Sequence, residues 1–139
     1  METIKGVSAI IYDKNSDHYF LILKRIKDWQ GWEFCKGSIH PGEKSLDAVK
    51  REIKEETGIS KFKIVGKLKK KRIFENSGKQ HEIEVYLAET NMNTPVHIQH
   101  KDEHSTYLWS ASAGVEGKLQ WDNEKEVFRD ALRYLKSKV

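Results

Sequence analysis

The chain has 139 residues, of which 37% are hydrophobic and 33% are charged, and its formal net charge is +4. This length and balance predict one globular domain over residues 1–139 and exclude a disordered chain. No stretch approaches the roughly 18 apolar residues of a membrane span, and the single Cys35 excludes an internal disulfide. We therefore expect a cytoplasmic protein without a membrane partner, and the positive charge favours an anionic ligand.

The N-terminal quarter of the chain predicts β-structure. Residues 4–12 are rich in β-branched side chains, residues 13–17 have the composition of a turn, and residues 18–25 are apolar enough for a central strand. Together these segments predict a β-hairpin. Residues 32–35 predict a further short strand.

The middle of the chain predicts a helix followed by a second hairpin. The helix is expected over residues 45–57, with Gly58 just past its end in the left-handed conformation that glycine adopts easily. Residues 62–75 and 79–90 have strand composition. The turn residues 76–78 join these two runs and predict the hairpin.

The C-terminal part predicts a last strand and a second helix. The strand is expected over residues 104–109, and residues 110–117 are small and predict a flexible segment. Residues 123–136 predict the helix, in which Asn123 and Glu126 would form a capping box. Its apolar stripe consists of Val127, Phe128, Ala131, Leu132 and Leu135. Strands and helices in this order indicate an α/β or α+β fold with helices packed on a mixed sheet.

Three glutamates share one face of the first predicted helix. Glu52, Glu55 and Glu56 are spaced i, i+3 and i+4, and like charges at such spacings destabilise a helix by about 0.2–0.5 kcal/mol per pair. The helix dipole also disfavours anions in the C-terminal half. A bound Mg²⁺ or Mn²⁺ would remove this penalty, because such hard cations prefer carboxylate oxygens. The alternative interpretation is a solvated acidic face without a ligand.

The residues upstream of these glutamates complete a longer motif. Residues 37–59 follow the pattern G-x5-E-x7-R-E-U-x-E-E-x-G-U, where U is a bulky aliphatic residue. This is the Nudix box without a mismatch, and its seven fixed positions give a chance match over the chain on the order of 10⁻⁶. The chain therefore resembles the Nudix hydrolases. The resemblance implies an α/β fold, specifically an α/β/α sandwich around a central mixed β-sheet.

The resemblance also implies the activity and the metal ligands. The expected reaction is the hydrolysis of a nucleoside diphosphate linked to another group, by attack of water on phosphorus, with Mg²⁺ as cofactor and Mn²⁺ as a substitute. Glu52, Glu55 and Glu56 would hold the metal, joined by the backbone carbonyl of Lys36. Such a metal neutralises and aligns a pyrophosphate and acidifies the attacking water.

Other positions of the motif take supporting roles by the same resemblance. Arg51 and Glu43 would orient the carboxylates through a salt bridge, and Gly37 and Gly58 would supply backbone freedom around the loop–helix–loop.

The motif leaves the general base open. In the family the base is either a box glutamate, here Glu52, or a glutamate from a later loop, for which Glu103 is the candidate. Glu82 and Glu84 on a predicted strand are competitors. The alternative for Glu103 is an ordinary loop acid.

Two further segments are similar to asymmetrical diadenosine tetraphosphate hydrolases. Residues 32–37, Trp-Glu-Phe-Cys-Lys-Gly, resemble their W-x-x-P-K-G element, and residues 103–109 resemble their E-H-x-x-Y-x-W element. Cys35, Ser38 and His40 depart from the subfamily pattern, and Trp-Glu-Phe also resembles the branch that removes mutagenic nucleotides. The expected substrate is a dinucleoside polyphosphate such as diadenosine tetraphosphate, cleaved to ATP and AMP. The alternatives are a nucleoside triphosphate, an oxidised nucleotide or a 5′-triphosphorylated RNA.

A dinucleoside polyphosphate needs cations along its phosphates and a flat ring for a base. Lys36 is the first candidate for phosphate, with His81, His104 and Lys79 as further candidates, and Tyr86 is the candidate for stacking on the base. The alternatives are a core position for Tyr86 and a solvated strand for His81 and Lys79.

The remaining basic and aromatic residues admit simpler interpretations. A basic run could bind the 5′ end of an RNA partner or could form a charged sheet edge that opposes aggregation. The run consists of Lys67, Lys69, Lys70, Lys71 and Arg72. Trp29, Trp109 and Trp121 are expected to pack rather than to bind a ligand. The protein is expected to be a monomer or a homodimer.

Overall fold

A computed structural model of the chain describes residues 1–15 and 18–137, so Ser16 and Asp17 of the predicted first turn lie outside the described residues. Within that part of the chain the strands are β1 (Thr3–Asp13), β2 (Phe20–Arg25), β3 (Gly31–Glu33), β4 (Cys35–Ser38), β5 (Lys63–Lys67), β6 (Arg72–Asn76), β7 (Lys79–Thr90) and β8 (His104–Ser110). The helices are α1 (Ser45–Thr57), α2 (Ser112–Lys118) and α3 (Asp122–Ser137). None of the described helices combines the length and the apolar character needed to cross a bilayer.

The centre of the sheet is the parallel pair of β1 and β7, which are in register from Thr3–Gln80 to Asp13–Thr90. β4 adds antiparallel to the first half of β1, and β5 and β6 add antiparallel to β7. On the side of β1 that faces away from β7, β2 pairs with the end of β1, and β2 also pairs with β3 and β8. The sheet is therefore mixed, as the sequence predicts.

Helices cover both faces of this sheet, because alternate side chains of the central strands are apolar on both sides. On one face, Val49 and Ile53 of α1 pack against alternate residues of β1 and β2. On the other face, Phe128 of α3 contacts the ring of Phe20 edge-on at 5.0 Å and that of Phe34 at 5.7 Å. The predicted stripe of α3 faces this second core. The α/β/α sandwich is thus confirmed.

Strand pairing differs from the predicted first hairpin. β1 and β2 pair only at Tyr12–Phe20, and the main partner of β1 is β7, from the other half of the chain. Composition identifies a strand buried on both faces but does not identify its neighbour. The run predicted over residues 62–75 is divided into β5 and β6, and the Leu68 amide between them donates to the Val85 carbonyl at 2.9 Å. The second hairpin is confirmed, with positive φ at Ser77 and Gly78.

The segment predicted to be flexible forms helix α2 instead. Its Val115 is completely buried in the core under α3, so tertiary burial stabilises a helix that its small residues favour weakly. The capping box predicted at Asn123 and Glu126 is also wrong. α3 begins at Asp122, Asn123 accepts a hydrogen bond from Arg72 at 2.7 Å, and Glu126 pairs with Lys70 at 2.6 Å. Partners distant in the sequence therefore replace the local cap.

Candidate active site

The glutamates of α1 fall into two environments. α1 packs against β4, which buries Glu52 and Glu56, whereas the side chain of Glu55 is 47% exposed. The backbone N–H of Lys36 in β4 donates to Glu56 Oε1 at 3.1 Å. Of the three carboxylates on this face of the helix, two are therefore buried and one is exposed.

Gly37 leaves room for the Glu52 carboxylate beside β4. A Cβ atom at this position would overlap the carboxyl carbon of Glu52, so this side chain would have to move. The φ of Gly37 is not in the left-handed region, so the glycine contributes space rather than an unusual backbone conformation. This corrects the expectation of backbone freedom at Gly37. Gly58, in contrast, does use the conformational freedom of glycine. It ends α1 with a φ of 72°, and its N–H donates to the Lys54 carbonyl at 3.0 Å.

Arg51 ties the exposed side of the cluster together. Its Nε and Nη2 donate to the two oxygens of Glu43 at 2.9 and 3.0 Å, so the predicted salt bridge is present and bidentate. Its Nη1 donates to Glu52 at 2.7 Å and to Glu55 at 3.1 Å, and its Nη2 also donates to the Ser38 carbonyl at 2.8 Å. The hydrogen bonds from Arg51 lower the pKa of Glu43 to about 2, so this carboxylate stays charged.

Burial disfavours the charged forms of Glu52 and Glu56. Burial, followed by the charge of Glu52, raises the pKa of Glu56 to about 8. Burial also raises the pKa of Glu52, against the opposing hydrogen bond from Arg51. One ligand atom each from Glu56, Glu103 and His104 lies within 4.8 Å of the others. Hard carboxylate oxygens that are buried and mutually repulsive fit a divalent cation such as Mg²⁺ or Mn²⁺.

Glu103 reaches this cluster from the loop before β8. Arg25 Nη1 donates to Glu103 Oε1 at 3.3 Å, and the Ile26 amide donates to the Glu103 carbonyl at 2.9 Å. The competitor Glu84 instead accepts a hydrogen bond from Lys67 at 2.9 Å. In the described part of the chain, neither Glu84 nor Glu82 belongs to the group of candidate ligand atoms.

A groove begins beside this cluster and runs along the sheet. Its first cavity, about 230 Å³, is lined by Glu103, Gly37 and His81 among others. Its second cavity, about 350 Å³, is lined by Trp29 and Trp121, whose rings meet edge-on at 5.4 Å. The two cavities share the lining residues Lys36, Phe74 and Asn76. The Glu103 carboxylate, the Lys36 side chain and two indole rings therefore follow one another along one surface.

Phe74 forms the floor between the two cavities. The His81 imidazole stacks parallel to its ring at 4.9 Å, and the cationic ends of Lys36 and Arg72 lie 5.8 and 5.1 Å from the ring centre. Two of the predicted phosphate contacts, Lys36 and His81, are thus together in the groove.

Three other predicted substrate residues lie elsewhere. Tyr86 is buried in the core beneath α1, where its hydroxyl and that of Ser45 are 2.6 Å apart, which supports the alternative of a core position. His104 is 1% exposed and its Nε2 lies 2.7 Å from Glu33, so its ring has no surface from which to meet a phosphate. Lys79 pairs with Glu2 at 3.6 Å and does not line the groove.

The basic run is largely neutralised by acidic partners. Lys67 pairs with Glu84 at 2.9 Å and Lys70 pairs with Glu126 at 2.6 Å. Arg72 is buried 3.7 Å from the carboxylate of Glu124, at the foot of α3. These pairs support the charged sheet edge over the RNA surface.

Sequence reasoning missed two parts of the site. Trp29 and Trp121 pack against each other, as expected, but they also line the groove, which was not expected. Glu33, only 1% exposed, was given no role, yet His104, Arg25 and Lys36 surround its carboxylate. Burial alone would raise the pKa of Glu33, but the His104 hydrogen bond and the two cations lower it below its usual range. A carboxylate between Trp32 and Phe34 was the available signal, since buried charges require partners.

Comparison with known proteins agrees with the motif. The family model described as NUDIX domain matches residues 2–132. The asymmetrical bis(5′-nucleosyl)-tetraphosphatase of Mus musculus is 31% identical over 115 residues, which cover 81% of this chain and 76% of that protein. The enzyme of the same name from Caenorhabditis elegans is 29% identical over 109 residues, covering 76% of this chain and 78% of that protein.

Solved structures agree with the fold. A Caenorhabditis elegans Ap4A hydrolase in a binary complex superposes with a TM-score of 0.86 at 24% identity, covering 96% of this chain and 98% of that one. The MutT protein from Methanosarcina mazei gives a TM-score of 0.78 at 25% identity, covering 97% and 96%.

The raised pKa of Glu56 predicts how stability depends on pH without metal. Because its folded pKa of about 8 exceeds the usual 4.5, its stabilisation is complete below the usual value and is lost as pH rises through about 8. The free energy of unfolding in a chelator should therefore fall between about pH 4.5 and about pH 8 and level off above that, and Glu56→Gln should flatten this fall. Urea titrations at several pH values measure it.

Glu55→Gln is the matched control, since it removes an exposed carboxylate from the same helix. This variant should keep the wild-type pH slope. An identical slope in the wild type and in Glu56→Gln would contradict the raised pKa of Glu56.

Proposed function

Because this chain belongs to the Nudix hydrolases, we propose that it hydrolyses dinucleoside polyphosphates, such as diadenosine tetraphosphate, with the help of Mg²⁺. One observation carries the proposal: a single groove has the Glu103 carboxylate at one end, Lys36 in its middle and the indole rings of Trp29 and Trp121 at the other end. Such a surface matches a metal-bound phosphate chain that ends in a nucleoside. The relatives named for tetraphosphatase activity support the same substrate class.

Glu52 and Glu56 are the two buried side chains that we propose to hold the metal. Glu55 on the same helix and the backbone carbonyl of Lys36 are further proposed ligands. When bound, the cation neutralises the phosphates and lowers the pKa of the attacking water. Nudix hydrolases generally use divalent metals, and the choice of Mg²⁺ over Mn²⁺ is our proposal.

Lys36 supplies a fixed positive charge to the phosphate chain. Its side chain is 25% exposed and lines both cavities, so a phosphate in the groove would lie beside it. Glu33 holds its Nζ at 3.6 Å and Phe74 lies under it, so little side-chain entropy remains to be lost on binding.

We assign the general base to Glu103 rather than Glu52. In the reaction, a water oxygen bonds to phosphorus, the bridging P–O bond breaks and the carboxylate accepts the water proton. Glu103 lines the groove where this water would lie, and Glu52 does not. Arg51 also holds one oxygen of Glu52 at 2.7 Å, a shorter contact than the 3.3 Å between Arg25 and Glu103. Arg51 and Glu43 hold Glu52 in place from the solvent side.

The indole rings give the substrate a site for one base. Trp121 is 41% exposed and Trp29 meets it edge-on, so the second cavity offers an aromatic wall. A base stacked on an aromatic ring gains about 1–3 kcal/mol. These contacts support base recognition by Trp29 and Trp121 rather than by Tyr86.

A product-resolved hydrolysis screen tests the proposed function. With Mg²⁺, diadenosine tetraphosphate should yield ATP and AMP, while ATP, 8-oxo-dGTP and 5′-triphosphorylated RNA should be poor substrates. Glu56→Gln should lower the turnover by orders of magnitude without unfolding the chain, and Glu116→Gln, on the surface of α2, should have no effect. Chromatography of the products measures both. Preference for RNA or monomeric triphosphates would overturn the substrate, and normal turnover in Glu56→Gln would overturn the metal site.

The assignment of the base predicts a difference between two glutamates. Glu103→Gln should lower kcat by orders of magnitude with little change in KM, because it removes the proton acceptor and leaves the phosphate contacts. Steady-state kinetics measures both parameters. A decrease in kcat below about tenfold, or roughly 1.4 kcal/mol, would move the role to Glu52.

The aromatic wall predicts a change in substrate binding. Trp121→Leu should raise KM for diadenosine tetraphosphate about tenfold, corresponding to about 1.4 kcal/mol of lost stacking, with a smaller change in kcat. Tyr86→Leu is the comparison variant, because it removes a ring from the core: it should lower Tm and leave KM unchanged. The opposite pattern of KM values would restore Tyr86 as the stacking residue.

A further inference from the structure

The carboxylate of Glu33 is the buried centre of a charge network behind the groove. His104 Nε2 lies 2.7 Å from its Oε2, and Arg25 Nη1 donates to the same oxygen at 3.1 Å. Lys36 Nζ lies 3.6 Å from Oε1. Glu33 is 1% exposed and does not line either cavity, so it lies where substrate does not reach. Its contacts nevertheless lead to two groups that face the groove.

Arg25 connects Glu33 to Glu103. Its Nη1 donates to Glu33 and also, at 3.3 Å, to Oε1 of Glu103, while its Nε donates to the Lys27 carbonyl at 3.0 Å. The guanidinium is planar, so these acceptors together fix its orientation. The side chain of Glu103 is 30% exposed and would otherwise choose among several rotamers at the loop surface.

We propose that Glu33 is a positioning residue that orients Glu103 through Arg25 and holds Lys36 at the groove. The inference rests on the proposed function, because it assigns the reason for which Glu103 faces the groove. Glu33 supplies the charge that keeps two cations close together beside the carboxylate cluster. Without it, Lys36 and Arg25 repel each other, and Nη1 of Arg25 loses the buried acceptor that fixes its position beside Glu103.

A purely structural role is the competing explanation, since removal of a buried charge from a network destabilises a fold. The two explanations differ in a double-mutant cycle. If Glu33 acts through Glu103, its substitution has little further effect on kcat once Glu103 has been replaced. If Glu33 only stabilises the fold, the same factor appears in both backgrounds.

The experiment measures kcat and KM for wild type, Glu33→Gln, Glu103→Gln and the double variant. Glu33→Gln should lower kcat between about tenfold and about a hundredfold, the range expected when a reacting group is misplaced by about 1 Å. In the Glu103→Gln background the same substitution should change kcat by less than about twofold. Asp13→Asn is the matched control. It replaces a carboxyl group that is 3% exposed at the last position of β1, beside Thr90 of β7, and it should leave kcat unchanged.

A second readout does not depend on turnover. The Arg25 Nη1–H protons should exchange slowly with solvent in NMR spectra of the wild type, because Nη1 donates to Glu33 and Glu103. Glu33→Gln should accelerate this exchange, and Asp13→Asn should not. If Glu33→Gln fails to fold, Arg25→Lys serves in its place. Lysine keeps the charge but lacks the planar fork, so it should lower kcat in the wild-type background and not in the Glu103→Gln background.

Failure of the inference and failure of the proposed function give different results. If the wild type cleaves a nucleotide other than diadenosine tetraphosphate, the substrate proposal fails and the cycle is performed with that nucleotide. Equal effects of Glu33→Gln in both backgrounds, or unchanged exchange at Arg25, would overturn the positioning role.

Discussion

The candidate site depends on how closely α1 approaches β4. Gly37 leaves the space that the Glu52 carboxylate fills, the Lys36 amide donates to Glu56, and the Cys35 thiol donates to the Glu52 carbonyl at 3.6 Å. This proximity buries the carboxylates of Glu52 and Glu56, and of the two only Glu52 is paired with an arginine among the described residues, Arg51. An ionised Glu56 therefore destabilises the metal-free fold and favours a bound cation. The contact between α1 and β4 accounts for both effects.

Two arginines stabilise the cluster from opposite sides. Arg51 binds Glu43, Glu52 and Glu55 on the solvent side, and Arg25 binds Glu33 and Glu103 on the groove side. Each guanidinium is itself held by a carboxylate that has no proposed contact with the metal, Glu43 in one case and Glu33 in the other. The orientation of the carboxylates at the centre therefore depends on Glu43 and Glu33, which lie one layer further out and hold the two guanidinium groups in place.

Features set by neighbours in sequence were predictable, and features set by distant partners were not. The bounds of α1, its end at Gly58 and the apolar stripe of α3 follow from periodicity and local conformational preference. The parallel pairing of β1 with β7 and the burial of Val115 in α2 depend on contacts between remote segments. The capping box failed for the same reason, because Arg72 from β6 takes the side chain of Asn123.

The site divides in the same way. Helical spacing placed Glu52, Glu55 and Glu56 on one face, but only the packing of β4 separates the two buried glutamates from the exposed one. The groove is formed by segments that are far apart in the sequence, and no local pattern predicts that they meet. Trp29, for example, contacts Trp121, which lies near the opposite end of the chain. Glu103 and His104 are adjacent in sequence, yet their side chains serve different surfaces, with Glu103 facing the groove and His104 facing Glu33. Successive side chains of an extended segment point to opposite sides. A short motif therefore identifies such a pair of residues but does not show which of the two contacts the substrate.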